Sequence, residues 1–487
     1  MASLPSVATT LPATSVPEQP VSPLEKLSKF LDGHHLKGRT GPQQFEQFEQ
    51  QLHEKIMEFQ REVLARELDS ADINEPAIEI DGKVYRRALR QNKTYMTAAG
   101  EVEVMRTLYR NRQDDDSRCV CPLEMTLGII DGFWTPQAAK QAEWVVTQLT
   151  PQKSEDLFER IGNMGPSKSS IDRLAKLLSS RWEQGREGFE EALREGFTIP
   201  EGTVSITVSL DGVHIPCEAS CQVTPAREAD TSEEPGANTK ACYREASCGC
   251  IALCDKNGNL LGAIRMARAP ESKKETLKQT LAAEVKAIKA RYPEITINKV
   301  ADGARDNWDF LESDAMPEGP ASVDFFHAQH HLNDAIVEAY GQGTSESREI
   351  RQILSETLRD EVGGVEVVIA ELADLAARHP KSKVIQRELG YFCNNRDRMH
   401  YAEMQDRCLM IGSGLVEAAC KTLVTQRLKQ SGMYWSLPGA QAVLTPRGWD
   451  QSERFDRAWA LLAATFHTEV TILAHVIPFN RGARCTK

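Results

Sequence analysis

The 487-residue sequence has no apolar run approaching the ~20 residues that cross a bilayer, and no basic stretch followed by an apolar one at its start. Membrane spanning and export by a signal peptide are therefore not expected. The Ser-, Thr-, Ala- and Pro-rich opening from Met1 to Gln19 reads as a disordered tail, and an intracellular location is expected. Excess positive charge is also missing. The net charge is −12, which excludes a uniformly basic nucleic-acid coat and confines any phosphate binding to local patches. Metal-ligand spacings are scarce as well. Cys119 and Cys121 stand at C-x-C spacing with no second Cys or His pair close by, so structural zinc is not expected there. His327 and His331 are four residues apart on an expected helix, but no Glu completes an HExxH motif, so zinc is not the favoured reading there either. The twelve cysteines, several of them between Cys217 and Cys254, should be thiols in a reducing cytosol. Cys250 and Cys254 alternate with apolar residues and read as small core residues in preference to a knuckle with Cys242 and Cys248.

What is present is ordinary globular composition, 41% apolar and 26% charged, in a chain long enough for about three domains. After a tail over 1–25, a helical segment over 26–75 carries Phe45, Phe48, Leu52, Ile56, Phe59 and Val63 at helical spacing. Residues 76–127 alternate like strands and form a basic β-rich module containing Arg86, Arg87 and Arg90. Residues 128–200 are helical. Within them, two helices around a Gly162–Pro166 turn resemble a helix-turn-helix, with Leu157 and Ile161 packing on Ile171, Leu174 and Leu178 and with Lys168, Arg173 and Lys176 facing DNA. The bland alternative is a helical hairpin.

From 201 to 342 the elements run βββαβαβα, with a hairpin before the crossovers. That order predicts an RNase H-like mixed sheet in a multidomain α/β protein. A helical insertion follows over 343–405, then a helix over 406–435 carrying Glu417, Lys421, Arg427 and Lys429, and a helical C-terminal tail over 436–487. In this topology Asp211 ends the first strand and Asp302 the fourth, its neighbour, so the two carboxylates converge and Glu417 closes the site. Convergent carboxylates suit Mg²⁺ or Mn²⁺, and two such ions about 3.5–4 Å apart promote phosphoryl transfer. Each Asp also precedes Gly, a common turn pair. Lys421, Arg427 and Lys429, followed by Tyr434 and Trp435, combine cations and aromatics that can serve DNA or simply pack.

The strings VSLDGVHIP at Asp211, VADGARDNW at Asp302, DFFH at Asp324 and IGSGLVEAACKTLVTQRLKQSGMYW around Glu417 resemble bacterial insertion-sequence transposases of the Kra-four type. These belong to the Asp-Asp-Glu group on an RNase H-like fold. GEVEVMRTLYRNR, PLEMTLGI and NNRDRMHY resemble the family in the same order. The resemblance implies metal binding by Asp211, Asp302 and Glu417, an accessory role for Asp324 and His327, and double-stranded DNA as partner at terminal inverted repeats and at a target. It further implies strand cleavage followed by strand transfer, a homo-oligomer on DNA, and a place with the bacterial nucleoid in the cytoplasm. The family's cysteines near Asn111 to Asp114 are absent here. Residue chemistry alone supports a metal-dependent phosphoryl-transfer enzyme; a nuclease without strand transfer and a catalytically silent DNA-binding regulator are the alternatives.

Overall fold

The computed structural model describes residues 21–33, 41–111, 118–218 and 242–473. Most of the expected tail, Arg112 of the basic module and the last part of the 436–487 segment lie outside the described residues. The chain divides into two compact units, one of residues 1–138, 158–166 and 468–487, the other of 139–157 and 167–467. Among the described residues no helix is long and apolar enough to cross a membrane.

The first unit opens with α1 (Pro23–Gly33) and α2 (Pro42–Ser70). Pro42 suits the first turn of α2, where an N–H would have no partner anyway. Phe30 of α1 stacks on Phe48 of α2 at 6.2 Å between ring centroids, whereas Phe45, Ile56 and Val63 remain exposed. Strands β1 (Ala77–Ile80), β2 (Lys83–Thr97) and β3 (Gly100–Arg110) form an antiparallel meander. Asp81 and Gly82, both at positive φ, make the first turn, the backbone sign that two-residue hairpins need. Val102, Val104 and Leu108 point alternately into a small core with Leu68 and Tyr95. The short helix α3 (Pro122–Leu127) follows.

Helices α4 (Pro136–Gln148), α5 (Pro151–Ile161) and α6 (Lys168–Gln184) come next. The expected turn is present, with Gly162 at φ 76 and the Ser167 hydroxyl accepting from the Ser170 N–H as the cap of α6. The expected packing of Ile161 is corrected: it is 51% exposed, and Phe158 is buried instead. Ile161 is the last residue of its helix, so the chain turns away before that side chain can be covered. Ile171, Leu174 and Leu178 of α6 are buried as expected. Helix α7 (Arg186–Glu195) ends this stretch.

The second unit is built on β4 (Ser205–Cys217), β5 (Cys242–Cys254), β6 (Leu260–Arg268), α8 (Glu275–Arg291), β7 (Thr296–Ala301), α9 (Arg305–Leu311), β8 (Ala321–Val323) and α10 (Phe325–Tyr340). The strand order is β6-β5-β4-β7-β8. β4, β5 and β6 pair antiparallel, and β7 is parallel to both β4 and β8, so the sheet is mixed. Two boundaries differ from the sequence reading. β4 runs on to Cys217 because β5 supplies a partner for every residue from Ser205 to Cys217, which puts Asp211 in mid-strand. The fifth strand, which the sequence pattern places over 323–326 with a helix from His327, is β8 and stops at Val323, and Phe325 and Phe326 are helical because Asp324 caps α10.

Side chains alternate across β4. Ile206, Val208 and Leu210 face a core shared with Leu281 and Val285 of α8 and Leu332 and Ile336 of α10. Ile215 and Cys217 face the opposite core. After α10 come α11 (Ser345–Asp360), α12 (Gly364–Arg378), α13 (Lys383–Asn395) and α14 (Tyr401–Asp406), in which Leu354, Leu358, Val365, Val368, Leu372 and Leu375 are all buried. Helix α15 (Gly414–Ala419) continues through a π-helical turn, Cys420–Thr425, into α16 (Gln426–Leu428). Its Val416, Leu423, Val424 and Leu428 cover the second sheet face with Ala440, Val443 and Leu444 of α17 (Leu437–Gln451). Trp449 of α17 meets Trp182 of α6 at 4.3 Å between rings. Helix α18 (Phe455–Ala464) closes this unit. In the first unit, β9 (Thr471–Ile472) pairs antiparallel with β1, a strand within a segment that the sequence reads as helical. Two residues are too few for a period to register.

Candidate active site

The parallel pairing of β4 with β7 ends with Val208 opposite Lys299. Asp211 and Asp302 each lie three residues beyond that pair, so they stand at the same level where the strands part. Asp211 is on the strand face that carries Ile215 and Cys217, the face covered by α15. Its Oδ1 accepts from the Gly212 N–H at 2.7 Å, and its Oδ2 accepts from Cys420 Sγ at 3.6 Å. Cys420 is three residues past Glu417, nearly one helical turn. Asp302 is held by the start of α9, its Oδ1 accepting from the Ala304 N–H at 3.2 Å and from Asn307 Nδ2 at 2.9 Å. The Trp308 indole donates to the Asp302 carbonyl at 2.6 Å. Trp308 is buried and packs under the Arg398 guanidinium at 4.6 Å.

Asp324, His327 and Glu417 form a second grouping, each offering one ligand atom within 4.8 Å of the others. Asp324 is fully buried. Its Oδ1 accepts from the His327 N–H at 2.7 Å as the cap of α10, and its Oδ2 accepts from the Ser413 N–H. One carboxylate thus ties the start of α10 to the turn that launches α15. His327 Nε2 lies 3.9 Å from Glu417 Oε1, and the Ser413 hydroxyl reaches the same oxygen at 3.4 Å. Asp211 and Asp302 do not join this group. Among the described residues it is the one cluster of three or more His, Cys, Asp or Glu close enough to share an ion.

The donor set suits a hard divalent cation, since carboxylate oxygens predominate. Glu417 is half-exposed and offers oxygens not committed to backbone, whereas both oxygens of Asp324 already accept backbone N–H groups. Asp324 is therefore chiefly a positioning residue here, and the remaining donors are Asp211, Asp302, Glu417 and His327.

Sequence reasoning missed several supporting residues. Tyr391 is partly buried near Asp302 and Asp324, and that burial, reinforced by those carboxylates, raises its phenol. A Cβ on Gly303 would come within 2.4 Å of the Tyr391 ring, so only glycine lets the ring pack there. Tyr391 also stacks on His331 at 3.6 Å, and His331 Nδ1 is bonded at 2.6 Å to the buried Glu388; His331 is not in the grouping of Asp324, His327 and Glu417. Ser413 and Cys420 carried no sequence signal beyond a Gly-Ser-Gly turn and a buried helix position. Cys248 and Cys250 are buried in the core beneath α15.

The basic residues fall into three places. Arg86, Arg87 and Arg90 are exposed on β2, Arg87 bonding Asn74 and Arg90 pairing with Asp72 at 3.2 Å. Lys168, Arg173 and Lys176 are exposed on α6, Lys176 pairing with Asp172 at 2.7 Å. Lys421 and Lys429 are exposed on the helix beyond Glu417. Arg427 is corrected: it is 1% exposed and offers no surface to a phosphate backbone, because the helix turns that face into the core.

No family model and no curated protein matches the sequence. Two solved structures are similar in outline. The Drosophila P element transposase strand transfer complex covers 68% of this chain and 80% of its own at 9% identity, with a TM-score of 0.26. The Mos1 transposase paired-end complex covers 56% and 78% at 12% identity, with a TM-score of 0.14. At such scores the likeness fixes neither fold nor chemistry.

Proposed function

We propose that this chain is a DNA transposase of the Asp-Asp-Glu group on an RNase H-like catalytic domain, and that Asp211, Asp302 and Glu417 hold one or two Mg²⁺ or Mn²⁺ ions. The observation that supports it best is the shared level of Asp211 and Asp302 just past the last β4–β7 pair, with the helix of Glu417 anchored beside Asp211 through Cys420. Divalent ions at such carboxylates supply positive charge that eases phosphodiester hydrolysis and transfer. The protein's own groups orient those carboxylates. The Gly212 N–H fixes one oxygen of Asp211, the Ala304 N–H and the Asn307 amide together fix one of Asp302, and the Asp324 clamp holds the turn from which the helix of Glu417 starts. His327, facing Glu417, is placed to donate to a phosphate oxygen or to hold a proton in transit. The Kra-four insertion-sequence type rests on the sequence strings, as do the bacterial nucleoid location and the joining of a freed 3′-OH to target DNA. The exposed Arg86, Arg87 and Arg90 on β2 and Lys168, Arg173 and Lys176 on α6 serve double-stranded element ends, and pairing of two ends calls for a homo-oligomer on DNA.

The test is incubation of the full chain with a duplex ending in the inverted repeats that border its coding sequence, with and without Mg²⁺. Metal-dependent nicking at the repeat end and covalently joined products are expected. Nicking without joined products reduces the protein to a nuclease, and binding without nicking to a regulator.

A further inference from the structure

A cavity of about 210 Å³ opens in the second unit between α6 and the segment joining α16 to α17. It is smaller than the ~300–1,000 Å³ of pockets for drug-sized ligands, which limits an occupant to a single ring system. Its wall includes Arg427, Tyr434, Trp435, Lys176, Asp172 and Glu218. Trp435 is fixed: its N–H donates to the Pro216 carbonyl, its carbonyl accepts from the Glu218 N–H, and its indole donates to the Leu428 carbonyl at 2.9 Å. The Arg427 guanidinium lies over the Trp435 ring, 5.3 Å from its centroid, and is almost wholly buried, yet its Nη1 has no hydrogen-bond partner. A buried charged donor left without an acceptor is costly. Burial, with Arg447 nearby, pushes this guanidinium down to about 10. Tyr434, in contrast, is 58% exposed at the rim.

Two cations, Arg427 and Lys176, face two anions, Asp172 and Glu218. A balanced wall does not select a bare phosphate. It favours a flat, neutral group with an oxygen acceptor for Arg427 and a face for Tyr434. We propose that this cavity receives one unpaired nucleobase of a DNA strand, its ring against Tyr434 and a ring carbonyl toward Arg427. The inference rests on the reading of the chain as a DNA enzyme and adds a base-binding site whose wall shares no residue with the carboxylates' own contacts.

The experiment measures binding of the full chain to a fluorescent 20-nucleotide dT strand and to an abasic strand of the same length, which keeps every phosphate. Tyr434→Ala should weaken dT binding about 5- to 150-fold, the range for loss of one base–aromatic stack, and leave abasic binding unchanged. Tyr434→Phe should retain dT binding. A strand of hypoxanthine nucleotides should bind more tightly than one of unsubstituted purine, which has the same ring system without the 6-carbonyl oxygen and its N1–H. Melting temperatures of both variants should match wild type, since the side chain is exposed. Equal loss on dT and abasic strands, or no loss on either, overturns the pocket. So does equal binding of hypoxanthine and purine strands. If wild type cleaves repeat-end duplex while Tyr434→Ala changes nothing, the pocket alone fails; if wild type binds no DNA, the DNA-enzyme reading fails and the pocket with it.

Discussion

Asp324 holds Ser413: the buried carboxylate that caps α10 accepts, through its other oxygen, the backbone N–H of the residue just before α15. Removing it strips a cap and a buried anchor at once. Asp324→Ala should cost about 2–5 kcal/mol, since a lost cap is worth ~0.5–2 and a hydrogen bond to a charged acceptor ~1.5–3. Urea unfolding measures this. Unchanged stability with slowed cleavage would make Asp324 a chemical participant in place of a clamp.

Asp211→Asn, Asp302→Asn and Glu417→Gln keep shape and remove the negative charge that a divalent ion requires. Each should abolish Mg²⁺-dependent cleavage while shifting melting little, because these side chains are half-buried or exposed. Cleavage within a few fold of wild type would remove that residue from the site. Loss at Glu417 alone would point to the grouping with His327.

Glu143 on α4 is completely buried, and burial raises its carboxyl to about 8 from 4.5; its Oε2 has no partner. Between those values the folded chain binds one more proton than the unfolded chain, so stability falls as pH rises from about 4.5 to about 8 and then levels off. Glu143→Gln should therefore match wild type near pH 4.5 and exceed it at pH 8 by on the order of 2–4 kcal/mol. Unfolding curves at three pH values decide this. A gap that does not change with pH means the carboxyl does not titrate in that window.

The exposed arginines of β2 give a salt signature. If Arg86 and Arg90 each neutralise a phosphate, replacing both with Ala should flatten the slope of log affinity against log salt by about 1.8, from ~0.9 per contact. An unchanged slope assigns them to the surface alone, with Arg90 serving Asp72.

The order of strands and helices around Asp211 and Asp302 was legible because apolar alternation and Asp-Gly turns punctuate that region. The extent of β4 was not, since Asp211-Gly212 reads as a turn, and only the long partner β5 keeps the strand extended through it. Arg427 illustrates a second limit. Its neighbours Lys421 and Lys429 are exposed, and helical spacing shows which residues share a face but not whether a second layer, here α17, covers it. In the sequence Asp324 has two readings, cap or active-site residue; the structure shows the cap, and its second contact, to Ser413, spans 89 positions. Pairings at that range leave no local pattern.

The pairing of β1 with β9 sets an order of events during synthesis. Ile78 and Ile472 are partners 394 positions apart, a stretch that takes about 20–80 s to translate at ~5–20 residues per second. The whole five-stranded sheet with its covering helices leaves the ribosome first. The meander of the first unit must wait, with the edge of β1 unpaired, and an unpaired strand edge is where foreign strands add. A nascent chain stalled shortly before Thr471 would carry that edge longest, making the two residues of β9, near the start of the third segment of the first unit, a point of quality control for its sheet.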